Sequence, residues 1–129
     1  MVPPLLGVDH IHVFVQDRKA AEAWYGRVLG LARSPGLEFW ADDGGPLTLQ
    51  DAGDTVHIAL FERPRQPNRA TVALRVDAAG FARWREHLAD VAGLPVAFED
   101  HQVAVSLYFS DPDGNPYEIT TYEVGGAKA

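Results

Sequence analysis

Three histidines fall in segments that the sequence predicts to be strands. His10 and His12 are two positions apart in a strand predicted for residues 8–16, so strand alternation puts both side chains on one face. His57 belongs to a later strand, predicted for residues 55–62. A neutral imidazole is a common metal ligand, and an unperturbed one titrates at roughly 6.5, where it can accept and return protons near neutral pH. His12 is therefore a candidate catalytic base or a support for His10, with a hydrogen-bonded pocket histidine as the alternative.

The chain contains no cysteine. Disulfide scaffolds, cysteine-ligated zinc or iron–sulfur centres and thiol nucleophiles are therefore excluded, and any metal must be held by His, Asp or Glu. The sequence also lacks glycine-rich phosphate-binding motifs and the G-x-S-x-G motif, so nucleotide binding and serine-hydrolase chemistry have no support. The absence of cysteine fits an intracellular compartment.

Length and composition predict a single globular domain over residues 1–129. The chain is 47% hydrophobic and 22% charged, values close to the globular average. Eleven basic against eighteen acidic residues give a formal charge of −7, which disfavours nucleic acid as a partner and favours solubility or attraction of a cationic ligand. No apolar run approaches the roughly 20 residues of a membrane-spanning helix, and no leader is evident. We therefore expect a cytoplasmic protein with no membrane partner.

The hydrophobic pattern predicts the order strand, helix, three strands, and it does so twice. In the first half the predicted strands cover residues 8–16, 37–41, 46–49 and 55–62, with a helix between the cap Asp17 and the stop Gly30. In the second half they cover residues 70–76, 96–99, 103–110 and 117–124, with a helix between Asp77 and Gly93. Module one is predicted over about residues 6–63 and module two over about 69–124, followed by a frayed tail, 125–129.

A constant shift of 61 positions aligns the two modules. It places Ile11 on Val72 at one end and Ile58 on Ile119 at the other. We therefore predict an α+β fold in which two tandem βαβββ modules form a cupped, mostly antiparallel eight-stranded sheet. The helices should lie on its convex face, because their apolar stripes can be buried only against the outer faces of the strands.

Two stretches of the sequence carry a resemblance to a known family. They are VDHIHVFVQDRKAAEAWYGRVLGL at residues 8–31 and DHQVAVSLYFSDPDGNPYEITTY at residues 100–122. With the repeated βαβββ order, they resemble the vicinal oxygen chelate superfamily, which holds glyoxalase I, extradiol ring-cleaving dioxygenases, fosfomycin resistance enzymes and bleomycin resistance proteins. The resemblance covers nearly the whole chain. It implies a small-molecule site on the concave sheet face, formed within one chain or between two, and a homodimer.

The resemblance also implies a metal site. In metal-dependent members four repeat-related places supply the ligands, and here the shift of 61 identifies them as His10, His57, Thr71 and Glu118. His10, His57 and Glu118 offer two imidazoles and a carboxylate, a set that suits Fe(II), Mn(II), Ni(II) or Zn(II) with open positions for substrate. Thr71 departs from the usual extradiol and fosfomycin pattern, because threonine is a poor ligand. The alternative is a degenerate, metal-free site in which Glu118 pairs with a basic side chain such as Arg75.

Further site residues come from the same resemblance. Tyr108 and His101 lie in the stretch that looks like the extradiol branch, where a Tyr and a His near the metal help to handle oxygen and the catecholate. Cross-strand packing is the alternative role for Tyr108. Asp111 and Asp113 are assigned to a turn, because Asp-Pro-Asp-Gly is a turn signature. The residues predicted to line the substrate pocket are Phe39, Phe61, Thr71, Arg75 and Tyr122, with Trp40 beside them. Packing in the core is the alternative role for the aromatic ones.

Two functions remain open from the sequence. The first is a metal-dependent dioxygenase, lyase or isomerase that chelates vicinal oxygens of a small substrate through a divalent cation. The second is a metal-free binding protein of the bleomycin resistance kind, which would sequester a cationic drug. Thr71 and the charge of −7 favour the second, whereas the presence of His10, His57 and Glu118 favours the first. A fosfomycin transferase ranks third, because Arg75 alone scarcely makes a basic pocket.

Overall fold

The computed structural model describes residues 1–91 and 95–128. The chain separates into two compact units, Met1–Pro64 (unit one) and Arg65–Ala129 (unit two). Each unit has one four-stranded sheet and one long helix, which confirms the predicted α+β fold of two tandem βαβββ modules. Gly93, the predicted end of the second helix, lies outside the described residues. In the described ranges no helix has the length and apolar character needed to cross a membrane.

Unit one follows the predicted order. Its elements are β1 (Ile11–Val15), α1 (Arg18–Leu29), β2 (Ala32–Arg33), a 3-10 helix (Glu38–Asp43), β3 (Leu47–Gln50) and β4 (His57–Glu62). The strand order in the sheet is β1-β4-β3-β2, with β1 and β4 parallel and the other two pairings antiparallel. Alternation decides the faces of β1, since Val13 and Val15 are fully buried whereas His12 is exposed.

Helix α1 begins and ends where the sequence predicts. The Asp17 carboxylate accepts a hydrogen bond from the backbone N–H of Ala20 at 3.0 Å. At the other end Gly30 adopts a left-handed conformation with φ of 70°, and its N–H donates to the carbonyl of Gly26. The buried stripe between these ends consists of Ala21, Trp24, Tyr25, Val28 and Leu29. Helix α1 is thus fixed by local capping and by burial of one face.

Replacing Asp17 by Ala should lower the free energy of unfolding by about 1 kcal/mol, because the N–H of Ala20 loses its acceptor. Asp17→Asn keeps a side-chain oxygen at this position and should stay within about 0.5 kcal/mol of the parent. Urea denaturation followed by far-UV circular dichroism measures both. Equal losses for the two variants would contradict the capping role.

Unit two repeats the arrangement. Its elements are β5 (Val72–Arg75), α2 (Ala78–Val91), β6 (Ala97–Asp100), β7 (Val105–Ser110), β8 (Pro116–Thr121) and α3 (Val124–Ala127). The strand order is β5-β8-β7-β6, with β5 and β8 parallel. The Asp77 carboxylate accepts from the N–H of Gly80 at 2.6 Å and caps α2, while Phe81 and Leu88 bury the inner face of that helix.

A carboxylate at or just after the end of the parallel strand pair ties each helix to its sheet. Glu62, at the end of β4, accepts from the N–H of Arg18 at 2.9 Å. Glu123, just after β8, accepts from the N–H of Ala78 at 3.1 Å. Both acceptors meet the first N–H of a helix, where the helix dipole favours negative charge. We call this repeated contact the glutamate clamp.

The strand predicted for residues 37–41 is wrong. That segment lies in the 3-10 helix, and the edge of the sheet is formed instead by β2, only two residues long. A turn starts the segment, since the N–H of Leu37 donates to the carbonyl of Ser34, and the N–H of Trp40 in turn donates to that of Leu37. Local i to i+3 bonds therefore satisfy the backbone that a strand would have paired with a neighbour.

The predicted end of the last strand is also wrong. β8 ends at Thr121, and Val124 belongs to the short helix α3 instead of the strand. Ala127 is buried, and a Cβ added to Gly126 would lie 2.9 Å from the Cβ of Ala78. The segment predicted to be a frayed tail thus packs on α2 through a small-residue contact.

The two units share their strand order but not their pairing register. In unit one Ile11 pairs with Ile58, 47 positions on, whereas in unit two Val72 pairs with Tyr117, 45 positions on. When the first strands are aligned by the shift of 61, Glu118 corresponds to Ala59. When the last strands are aligned by the same shift, Glu118 corresponds to His57, so a single shift cannot align both strand pairs at once.

Candidate functional site

An acid and two imidazoles form a connected row at the start of unit one. The Asp9 carboxylate accepts from Nδ1 of His10 at 2.8 Å, and Nε2 of His10 lies 3.0 Å from Nε2 of His12. The two imidazole rings stack with centroids 4.9 Å apart. The ring of His12 also contacts Phe61, with centroids 4.8 Å apart. The prediction that His10 and His12 lie on one face is confirmed, and Phe61 provides an apolar contact for the ring of His12.

His57 lies on the same sheet but is held by another partner. The register of β1 and β4, continued one residue before Ile11, sets His10 beside His57. Nε2 of His57 is 2.6 Å from a carboxylate oxygen of Asp54, a turn residue with φ of 58°. Coordination through that nitrogen would require Asp54 to move. Nδ1 is the other nitrogen through which His57 could bind a metal ion.

Unit two carries a second polar cluster around Glu118. Tyr108 on β7 is directly opposite Glu118 on β8, and the hydroxyl of Ser106 donates to the Glu118 carboxylate at 2.6 Å. His101 Nε2 lies 2.9 Å from the Tyr108 hydroxyl. The structure therefore brings together three of the site residues predicted in this unit, Glu118, Tyr108 and His101. Ser106 was missed, although its spacing of two from Tyr108 puts both on one strand face.

The environment of Tyr108 shifts the pKa of its phenol upward. Partial burial raises the pKa of Tyr108, and the negative charge of the Glu118 carboxylate raises it further. A protonated phenol can donate a hydrogen bond to a developing negative charge, whereas a phenolate cannot. Tyr108 is thus set up as a hydrogen-bond donor at neutral pH.

The predicted pocket residues separate into small groups. Phe39 and Trp40 are exposed on the 3-10 helix and contact each other, with ring centroids 5.7 Å apart. The guanidinium of Arg75 lies over the ring of Tyr122 at 5.0 Å. Thr71 is exposed immediately before β5. In the described part of unit one, a cavity lined by Phe39 includes neither Trp40 nor Phe61 in its lining.

The ion pair between Glu118 and Arg75, part of the alternative metal-free interpretation, is not formed among the described residues. Glu118 accepts from Ser106 instead, and Arg75 is engaged by the ring of Tyr122. The assignment of Asp111 and Asp113 to a turn is confirmed, because an oxygen of Asp111 accepts from the N–H of Asp113 at 2.9 Å.

The donor types fit a divalent metal ion, although the described residues contain no ready cluster of three or more His, Asp or Glu ligands. The 3.0 Å between the Nε2 atoms of His10 and His12 is notable. Two nitrogens bound to one ion at adjacent octahedral positions, with bonds of about 2.1 Å, would also be about 3 Å apart. The same distance suits an N–H···N hydrogen bond, so both roles are chemically open to this pair.

Comparisons with known proteins agree with this architecture. The family model described as the Glyoxalase/Bleomycin resistance protein/Dioxygenase superfamily matches residues 7–119. No curated protein matches the chain.

Three solved structures illustrate the shared fold. A glyoxalase family protein from Bacillus anthracis is 24% identical, with a TM-score of 0.73 and coverage of 94% of this chain and 98% of the other. A lactoylglutathione lyase from Agrobacterium tumefaciens is 21% identical, with a TM-score of 0.70 and coverage of 94% and 97%. A fosfomycin resistance protein from Mesorhizobium loti is 21% identical, with a TM-score of 0.64 and coverage of 92% and 93%. At these identities the similarity extends to the fold alone.

Proposed function

The chain belongs to the glyoxalase/bleomycin resistance protein/dioxygenase superfamily, and from this premise we propose that it is a metal-dependent enzyme acting on a small substrate with vicinal oxygen atoms. The observation that carries the proposal is the occurrence of metal-ligand and proton-transfer groups in both units. Unit one offers the imidazoles of His10 and His12, and unit two offers Glu118 with Tyr108 and His101. A purely structural sheet would have little need of such groups.

The proposed metal ligands are His10, His57 and Glu118. His12 takes the place of His57 if Asp54 retains that imidazole, since its Nε2 is already 3.0 Å from that of His10. A bound divalent cation would polarise the vicinal oxygens and stabilise negative charge that develops on them. Neutral imidazole and ionised carboxylate are the forms that bind, so protons compete with the metal.

The remaining groups have proposed roles around the substrate. Tyr108 holds its proton on the phenol oxygen and donates it as a hydrogen bond to a substrate oxygen. His101, hydrogen-bonded to that phenol, fixes its direction. If His57 is the ligand, His12 is available to take a proton from the substrate near neutral pH. These assignments are consistent with a dioxygenase, a lyase or an isomerase.

A metal-free binding protein is the second candidate. Thr71 is exposed at a place where the family's extradiol and fosfomycin enzymes have a metal ligand, and the chain carries a formal charge of −7. An acidic protein with aromatic side chains would attract a cationic drug and hold it without turnover.

Metal analysis separates the two candidates. Protein purified without chelator should contain about one equivalent of divalent metal per chain if it is the enzyme, because two imidazoles and a carboxylate form a site of useful affinity. Plasma emission spectrometry measures the metal, and protein dialysed against EDTA is the control. Absence of stoichiometric binding after reconstitution with Fe(II), Mn(II), Ni(II) and Zn(II) would favour the binding protein.

A further inference from the structure

Unit two contains a cavity of about 550 Å³ to which the preceding sections assign no role. Its lining includes Arg65, Val96, Ala97, Tyr108, Ser110 and Pro116. The volume is in the range of about 300–1,000 Å³ that small-molecule sites occupy. Most of the lining is apolar, so the cavity suits the hydrocarbon body of a ligand.

The sheet register places this cavity beside the cluster around Glu118. Ala97 on β6 pairs with Tyr108 on β7, and Tyr108 pairs with Glu118 on β8. The three side chains therefore form one row on one face, opposite the face on which Leu107 and Ile119 are buried. Tyr108 is shared, since its body lines the cavity and its hydroxyl meets His101.

Arg65 supplies the charge of this cavity. Its guanidinium lies against the turn glycine Gly114, where an added Cβ would be 2.5 Å from Nη2. Among the described residues Arg65 takes part in none of the ion pairs. The acid in the lining, Asp111, accepts from two backbone N–H groups and the side-chain amide of Asn115, and the ion pairs of the described residues do not join it to Arg65.

We propose that this cavity binds a small carboxylic acid with an aromatic or aliphatic body. The carboxylate is received by the guanidinium of Arg65, and the body lies on Val96, Ala97 and the ring of Tyr108. A guanidinium presents paired N–H donors that match the two oxygens of a carboxylate. The further claim that this acid is the enzyme's substrate rests on the proposed function, because it requires the acid to extend past Tyr108 to the proposed reacting groups. As a binding site it needs no metal.

Binding of 3-phenylpropionate to EDTA-treated protein tests the site directly. Titration followed by ¹H–¹⁵N correlation spectra should move the amide signals of Ala97, Ser110 and Gly114, with saturable shifts that give one dissociation constant. The uncharged analogue 3-phenylpropionamide has the same body and should bind about tenfold more weakly, because it cannot form the charged pair with Arg65. Equal binding of acid and amide would overturn the proposal.

Two variants and a matched control make the test specific. Arg65→Gln should weaken the acid about tenfold and leave the amide unchanged, whereas Arg69→Gln, which removes an exposed cation outside the cavity lining, should change neither. Ala97→Phe should weaken both probes by filling the space. The proposal is overturned if Arg65→Gln has no effect or if the shifted signals lie in unit one. If the parent protein binds metal but not 3-phenylpropionate, the cavity proposal alone is refuted. If it binds the acid but no metal, only the proposed metal site is refuted.

Discussion

Replacement of His10 by Ala or of Glu118 by Gln is expected to weaken Zn(II) binding by more than about a hundredfold, because each change removes a proposed ligand. Competition with a chromophoric chelator at pH 7.5 measures the affinity, and Zn(II) is the suitable probe because it has no redox chemistry. The matched control is His87→Ala, which removes a histidine of α2 that has no proposed role. If the His10 and His87 variants bind Zn(II) equally well, the ligand assignment fails.

A second pair of variants tests which histidine binds the metal together with His10. His57→Ala should lose tight Zn(II) binding as completely as His10→Ala, whereas His12→Ala should retain most of it. The reverse result would assign the ligand to His12, in keeping with its 3.0 Å distance from Nε2 of His10. Thr71→Ala should change little, because threonine is a poor ligand. In the parent protein the affinity should fall as the pH is lowered, because protons compete with the metal for the imidazole nitrogens and the carboxylate.

Removal of the Asp111 side chain should cause the largest loss of stability outside the apolar core. Asp111 is buried, with one oxygen accepting from the N–H groups of Asp113 and Asn115 and the other from the Asn115 side-chain amide. Asp111→Ala leaves three donors without this acceptor, so the free energy of unfolding should fall by about 3 kcal/mol or more. Urea denaturation measures the change.

Two further variants test the hydrogen-bond explanation for Asp111. Asp111→Asn keeps one oxygen but turns an N–H₂ group toward the Asn115 amide, so an intermediate loss of about 1–2 kcal/mol is expected. The exposed Asp90 of α2 provides the control, since Asp90→Asn should stay within about 0.5 kcal/mol of the parent. A loss below 1 kcal/mol for Asp111→Ala would mean that water replaces the carboxylate.

Local signals explain which parts of the fold could be predicted. The caps Asp17 and Asp77 and the turn after β7 depend on side-chain oxygens that bond to nearby backbone, so a short stretch of sequence carries the whole interaction. β2 depends on a distant partner, since Ala32 pairs with Gln50. A two-residue strand shows no periodicity, and the aromatic pair Phe39 and Trp40 drew the strand prediction to the wrong segment.

The candidate site was predictable only where the alternation of side chains along one strand determines which of them share a face. His10 and His12 share a face, whereas the contact between His101 and Tyr108 joins a loop residue to a strand residue. The place of His57 depended on register, and here the two units differ by two positions. A slip of two leaves every side chain on its original face, so the hydrophobic pattern is identical before and after it. Only the pairing of strands reveals the difference.

The glutamate clamp has a consequence for substitutions in either unit. Glu62 and Glu123 stand 61 positions apart and perform the same task in the two halves of the chain, each on the first N–H of its own helix. The groups fit for chemistry differ between the halves, with imidazoles in one and a carboxylate and phenol in the other. Each unit thus has its own means of holding helix to sheet. Substitutions among the chemical groups of one unit therefore leave the glutamate clamp of the other unit intact.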